Sequence, residues 1–230
     1  MLKTLPKKIH SLALDIDGTI FSSEFIIFPV YQDAIQEFSN QSNLTLIVPT
    51  HERIMKEIGK PVKTIFENLL PELSTEQRDA ISDLVLLKLC ERIKNGQGHY
   101  YPQVKETMLD LHARGIVLLL ASNGRQPYVE SIMRYLGVWD LLSTPKFIDN
   151  VTIHNKGDIL KYYIQNNITT AEAMLMVGDR KSDEDAAIEA GCPFAWCAYG
   201  HADPGEIGAY DIRLDAFADL LKGTSKESLL

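Results

Sequence analysis

Ser11-Leu12-Ala13-Leu14-Asp15-Ile16-Asp17-Gly18-Thr19 decides how the rest of this 230-residue chain is read. Residues 11–14 form a short apolar run, the pattern of a strand covered on both faces. Asp15 and Asp17 follow at its end. One residue apart, they point to the same side if the strand continues. Holding two carboxylates there is costly unless a cation lies between them or one keeps a proton. Gly18 permits a tight turn after them. An acidic turn that merely closes a strand, with Thr19 capping a helix, is the alternative reading of the same residues.

Working outward, residues 116–121, 174–177 and 194–198 repeat the continuous apolar pattern. Helical spacing lies between them. Pro127 suits a first helical turn, Val129, Ile132, Met133 and Leu136 keep the period, and Gly137 suits the end. Residues 155–166 and 183–190 carry two more helices. Alternation of this kind predicts an α/β fold, a doubly wound, Rossmann-like parallel sheet in three layers. Residues 21–97 break the rhythm. They hold helical signals, including Ser74 followed three residues later by Gln77, the spacing of a capping box. They are too many for a plain loop, which rarely exceeds about 15 residues. The expected organisation is a catalytic core of residues 1–20 and 98–230 with an inserted, all-helical cap domain at 21–97. Its hinges fall near Phe21 to Phe25 and at Asn95 to Tyr100, and residues 223–230 read as a tail.

Three further groups fall at strand ends or in the loops after them. Ser122-Asn123-Gly124 follows the run at 116–121, and small polar residues there can present N–H groups to an anion. Lys156 opens a helix, where a cation works against the macrodipole, a conflict an anionic ligand would relieve. Gly178-Asp179-Arg180-Lys181-Ser182-Asp183 follows the run at 174–177, and its acidic oxygens suit a hard cation such as Mg²⁺. Each also reads as ordinary turn or surface chemistry. Their agreement carries more weight, because the C-terminal edge of a doubly wound sheet is where such folds bind ligands.

Composition narrows the class. A net charge of −8 argues against a protein that grips nucleic-acid backbone. No run approaches the roughly 20 apolar residues of a membrane span, and the N-terminus does not read as a signal peptide, so a cytoplasmic protein is expected. Cys90, Cys192 and Cys197 show no paired metal-ligand spacing and read as reduced thiols.

The order Asp15-x-Asp17-Gly18-Thr19, Ser122, Lys156, Gly178-Asp179-x-x-x-Asp183 resembles the haloacid dehalogenase-like hydrolase superfamily across nearly the whole chain. The helical insert looks like that superfamily's type 1 cap. The nearest look-alikes are phosphoglycolate phosphatases and related 5′-nucleotidases, and an aspartate at position 17 points away from the dehalogenases. Phe21-Ser22-Ser23 lacks the acidic residue often found there. The resemblance implies a Mg²⁺-dependent phosphatase acting on a small phosphorylated metabolite through an aspartyl-phosphate on Asp15. Asp17 would be the acid and base. Ser122, Asn123, Gly124 and Lys156 would hold the phosphoryl group, with Asp15, Asp17, Asp179 and Asp183 about the metal and Asp183 acting through water or by orienting Lys156. A sugar phosphomutase and a non-catalytic binding protein are the other readings, and monomer and homodimer are both open. Selectivity would sit in the cap, where Lys60, Arg53, His51 and Lys63 are candidates for a second anionic group on the substrate. His99, Tyr100 and Tyr101 stand at the return hinge.

Overall fold

The computed structural model describes residues 9–149 and 151–223, so the expected tail at 223–230 lies almost wholly outside the described residues. Strand β1 (Ser11–Leu14) leads into a two-residue strand β2 (Phe21–Ser22). Helices α1 (Glu24–Ser42), α2 (His51–Met55), α3 (Val62–Leu69) and α4 (Thr75–Lys94) follow, then β3 (His99–Tyr100). The chain continues through α5 (Val104–Ala113), β4 (Val117–Leu120), α6 (Gln126–Leu136) and α7 (Lys156–Gln165). It closes with β5 (Met174–Gly178), α8 (Lys181–Ala190), β6 (Phe194–Cys197) and β7 (Ile212–Leu214).

The five long-range strands form one sheet in the order β4-β1-β5-β6-β7, every neighbouring pair parallel. Side chains alternate across β1 as a pleated strand requires. Leu12 and Leu14 join Val104, Met108, Ile132 and Met133 from α5 and α6 in one apolar cluster. Ala13 joins Ile159, Leu160, Tyr163 and Ala187 from α7 and α8 in the other. The result is three layers, helices on both faces of the sheet. Each fully buried Leu or Ile in them contributes roughly 1.5–3 kcal/mol relative to exposure.

The local signals that start these helices are visible. Ser74 and Gln77 make both halves of the capping box at the head of α4. The Asn155 side chain accepts from Asp158 N at 3.0 Å and so caps α7. Pro127 sits in the first turn of α6, and Gly137 ends that helix.

Two features were not expected. Strand β7 is a three-residue edge whose middle residue, Arg213, is exposed, so it lacks the continuous apolar pattern of a buried strand. Strands β2 and β3 pair antiparallel, Phe21 opposite Tyr100, and tie together the two points where the helical stretch leaves and returns.

The register fixes what happens at the sheet's C-terminal edge. Leu14 lies level with Leu120 on one side and Val177 on the other. Asp15, the Ala121-Ser122 pair and the Gly178-Asp179 pair therefore emerge side by side.

Candidate active site

Asp15 continues the line of β1, its N–H donating to Val177 O at 3.0 Å, and delivers a carboxylate that is only 2% exposed. Lys156, at the head of α7, is 1% exposed. Its ammonium donates to Asp183 Oδ1 at 2.6 Å and lies 2.8 Å from Asp15 Oδ1. The macrodipole conflict noted for Lys156 is thus relieved by two of the chain's own carboxylates. Burial pulls the Lys156 pKa down, but Asp15 and Asp183 outweigh it and hold the ammonium above its ordinary value.

Asp179 directly follows β5 and Asp183 lies in the first turn of α8. Asp183 Oδ2 accepts from the N–H groups of Asp179 at 3.1 Å and Arg180 at 2.9 Å. With Oδ1 on Lys156, both of its oxygens are engaged by donors. Asp179 Oδ2 accepts from His201 N at 2.6 Å. Two glycines let these groups approach. A Cβ at Gly178 would lie 2.2 Å from Asp183 Cγ, and one at Gly18, where φ is +80°, would lie 2.0 Å from Asp179 Oδ2.

Asp15, Asp179 and Asp183 gather carboxylate oxygens within 4.8 Å of one another, all buried. Asp15 Oδ2 and Asp179 Oδ1 are buried with no hydrogen-bond partner. Burial pushes Asp15 up to about 7 against the pull of Lys156, with Asp183 adding to the rise. Asp179 is raised well above the carboxylate range by burial and then by Asp183 and Asp15. Three carboxylates face one ammonium, and two of their oxygens want a positive partner. This is a donor set that fits a divalent cation.

Asp17 stands apart from that cluster. Its Oδ1 accepts from Tyr128 OH at 2.6 Å and Ser23 Oγ at 2.9 Å. Burial raises its pKa, while those two hydroxyls oppose the rise. Ser122 and Asn123 are buried, and the Ser122 hydroxyl accepts from Gly124 N at 3.0 Å, which leaves its own proton to donate. Asp15, Asp17, Ser122, Asn123 and Gly124 line one cavity of about 70 Å³ between the sheet edge and helices α1, α3 and α4. A carboxylate with an unpartnered oxygen, a second carboxyl with a raised pKa and a hydroxyl donor therefore face one space.

The other sequence candidates divide. Lys60 lines the cavity and pairs with Glu57 at 2.8 Å. Arg53 donates to Asn68 O at 2.8 Å, and His51 Nε2 lies 3.3 Å from Glu24 O, so neither faces the carboxylates. Lys63 lines a neighbouring groove. Tyr100 OH donates to Ile132 O, and Tyr101 packs on Tyr199 with its hydroxyl 3.5 Å from His201 Nε2. Sequence reasoning missed Tyr128, Ser23, His201 and Arg180. Arg180 Nη1 donates to Ile58 O at 2.9 Å, and Asn123 Nδ2 donates to Gly59 O at 2.8 Å. The loop before α3 is thereby fastened to the sheet edge.

Comparison with known proteins finds likenesses over nearly the whole chain. The family model for haloacid dehalogenase-like hydrolases matches residues 12–197. The phosphoglycolate phosphatase of Yersinia pseudotuberculosis is 35% identical, over 97% of this chain and 96% of its own. That of Vibrio cholerae is 27% identical, over 94% of this chain and 97% of its own. The solved structure of CbbY from Rhodobacter sphaeroides in complex with phosphate superposes with a TM-score of 0.77 at 18% identity, covering 94% of this chain and 98% of that one, a likeness of fold.

Proposed function

The chain belongs to the haloacid dehalogenase-like hydrolases and is a phosphatase, and we propose that it hydrolyses a small phosphomonoester through an aspartyl-phosphate on Asp15. One observation carries the proposal. Asp15 is buried with one oxygen on Lys156 and the other unpartnered, on the wall of a cavity that it shares with Asp17 and Ser122.

In the first step an Asp15 carboxylate oxygen attacks phosphorus in line, and the bond from phosphorus to the ester oxygen breaks. Asp17, its pKa raised by burial, gives its proton to the departing alkoxide. In the second step Asp17, now ionised, takes a proton from water as the water oxygen attacks phosphorus and the bond to Asp15 breaks. Inorganic phosphate leaves and both aspartates are regenerated. Tyr128 and Ser23 hold the Asp17 carboxyl in place through both transfers. The Ser122 hydroxyl, oriented by the Gly124 N–H, and the N–H of Asn123 receive the non-bridging oxygens, and Lys156 balances negative charge on Asp15. Asp183 orients Lys156.

Asp15 and Asp179, with the Asp17 main chain beside them and Asp183 behind, would hold Mg²⁺. The ion would offset repulsion between the carboxylate nucleophile and the phosphate dianion. The unpartnered oxygens of Asp15 and Asp179 support this fit.

Residues 21–97 act as a cap over a core of 1–20 and 98–230, excluding water during the first transfer. The β2–β3 tie and the bonds from Arg180 and Asn123 to the Ile58 and Gly59 carbonyls support that division. Three free, buried cysteines suit the reducing cytoplasm.

The test is phosphate release from p-nitrophenyl phosphate and a panel of phosphomonoesters with Mg²⁺, beside the Asp15→Asn variant. Turnover by the parent, a phosphorylated Asp15 in quenched samples and a folded, inactive variant are expected. An active Asp15→Asn variant removes Asp15 as nucleophile. Phosphate retained on Asp15 and returned to a bisphosphorylated sugar would mark a phosphomutase instead.

A further inference from the structure

The wall opposite the carboxylates is mainly apolar, the Ser82 hydroxyl on α4 accepting from Arg125. Ile27 and Tyr31 from α1, Ile65 and Phe66 from α3, and Val85 and Leu89 from α4 close the cavity above Asp15 and Asp17. Tyr31 and Phe66 stack with ring centroids 5.6 Å apart and planes 5° from parallel, which gives the wall a flat, rigid face. A phosphoryl group placed on Asp15 and Ser122 sends its organic part toward this wall, because Asp17 must reach the ester oxygen.

Charge at the wall is already matched. Two cations line the cavity among the described residues, Lys60 and Arg125. Lys60 is paired with Glu57 at 2.8 Å, and Arg125 with Asp83 at 2.6 Å. Both reach toward solvent, their side chains 41% and 39% exposed. Lys63 and Arg78 line the neighbouring groove and not this cavity. A carboxylate two atoms from the ester oxygen would be held against Ile, Val, Leu and Phe side chains, with the two cations that line the cavity among the described residues already paired. Burying an unpaired carboxylate in such surroundings is heavily penalised.

We infer that this phosphatase selects phosphomonoesters whose organic group is uncharged and apolar, and disfavours a carboxylate next to the ester carbon. The inference rests on the phosphatase reading above. It departs from the activity for which the Yersinia and Vibrio relatives, phosphoglycolate phosphatases, are named.

A matched pair tests it. Propyl phosphate and 2-phosphoglycolate have the same length beyond phosphorus and differ in a terminal ethyl unit against a carboxylate. With Mg²⁺, kcat/KM should be at least tenfold higher for propyl phosphate. Along ethyl, propyl and butyl phosphate it should rise about fourfold per methylene until the cavity is filled, the rate equivalent of about 0.8 kcal/mol per buried CH₂. Leu86→Lys places a cation on the half-buried rim of the same wall and should shift the preference toward 2-phosphoglycolate by at least tenfold. Val62→Lys serves if that variant does not fold. Equal or greater kcat/KM on 2-phosphoglycolate, a flat alkyl series, or a preference that neither folded lysine variant alters would overturn the inference and leave the phosphatase standing. No hydrolysis of any ester, p-nitrophenyl phosphate included, and no phosphorylated Asp15 would instead overturn the phosphatase reading, and the inference with it.

Discussion

Lys156→Met removes the only ammonium in contact with the carboxylate cluster among the described residues while nearly preserving side-chain length and volume. In the parent the ammonium meets Asp183 Oδ1 at 2.6 Å and Asp15 Oδ1 at 2.8 Å, all three side chains almost wholly inaccessible. Two charge-assisted contacts of about 1.5–3 kcal/mol each are lost. Removing one partner of a buried pair costs about 3–5 kcal/mol, in the same range. Proton uptake limits the loss. Asp15, pushed up to about 7 chiefly by burial, is ionised in the folded protein at pH 8 and largely neutral at pH 5. A neutral Asp15 gives up little when the ammonium goes, so the penalty at pH 5 should fall to roughly half. Urea unfolding followed by circular dichroism, in metal-free buffer at both pH values, measures the two numbers. Matched midpoints at pH 8, or a larger loss at pH 5 than at pH 8, would refute the assignment of Lys156 as counter-ion to this pair.

Three other outcomes are expected. A folded-state pKa of about 7 for Asp15, against 3.8 for the free side chain, means that the folded protein holds the extra proton between those values. Metal-free stability from this group is therefore full below about pH 4 and falls by about 4 kcal/mol as pH rises through 7. Mg²⁺ should restore the loss, and thermal melts in EDTA that do not fall across that window would contradict the sign. Asp17→Asn should lower kcat by roughly 10²–10⁴-fold and let phosphorylated Asp15 accumulate in quenched samples; unchanged turnover would remove Asp17 as the acid and base. Arg180→Ala breaks the bond to Ile58 O and the ion pair with Glu206, 2.7 Å apart. It should cost about 1–3 kcal/mol in chemical unfolding and raise KM about tenfold; an unaltered KM would argue that the α3 loop is held by other contacts.

The core was legible because its signals are local. Three of the four apolar runs each sat beside the polar residues they deliver, so finding the strand also found the candidate. Lys156 was legible for another reason: a lysine at a helix head is electrostatically misplaced unless something negative is near, and Asp15 and Asp183 are that something. The supports of Asp17 were not legible. Tyr128 lies 111 positions away in the chain, on a helix whose spacing predicts burial and nothing about a hydroxyl's partner. Ser23 looked like the lack of an acidic residue, yet its hydroxyl reaches Asp17. His201 reaches Asp179 through its main-chain N–H, which any residue but proline supplies, so no side-chain pattern could have marked it. Strand β7 escaped because Arg213 interrupts an apolar pattern that only central strands need.

The two sides of the cavity are built from different materials, and that difference decides which one evolution can alter freely. On the sheet edge the charged groups hold one another, with Asp15 Oδ2 and Asp179 Oδ1 left facing the cation site: Asp183 holds Lys156 and two N–H groups, and a Cβ at Gly178 would strike it. A substitution there disturbs the charge balance on Asp15. On the helical side, α3 and α4 meet the cavity with Ile65, Phe66, Val85 and Leu89, which make no polar contact with the carboxylates. The loop before α3 is fastened through the carbonyls of Ile58 and Gly59, atoms that every residue carries. Cap side chains can therefore change size or charge while the fastening and the carboxylate cluster stay as they are. Substrate preference would then be separable from chemistry in this fold, because the helical side is fastened through its main-chain carbonyls while the side chains that line the cavity take no part in the fastening.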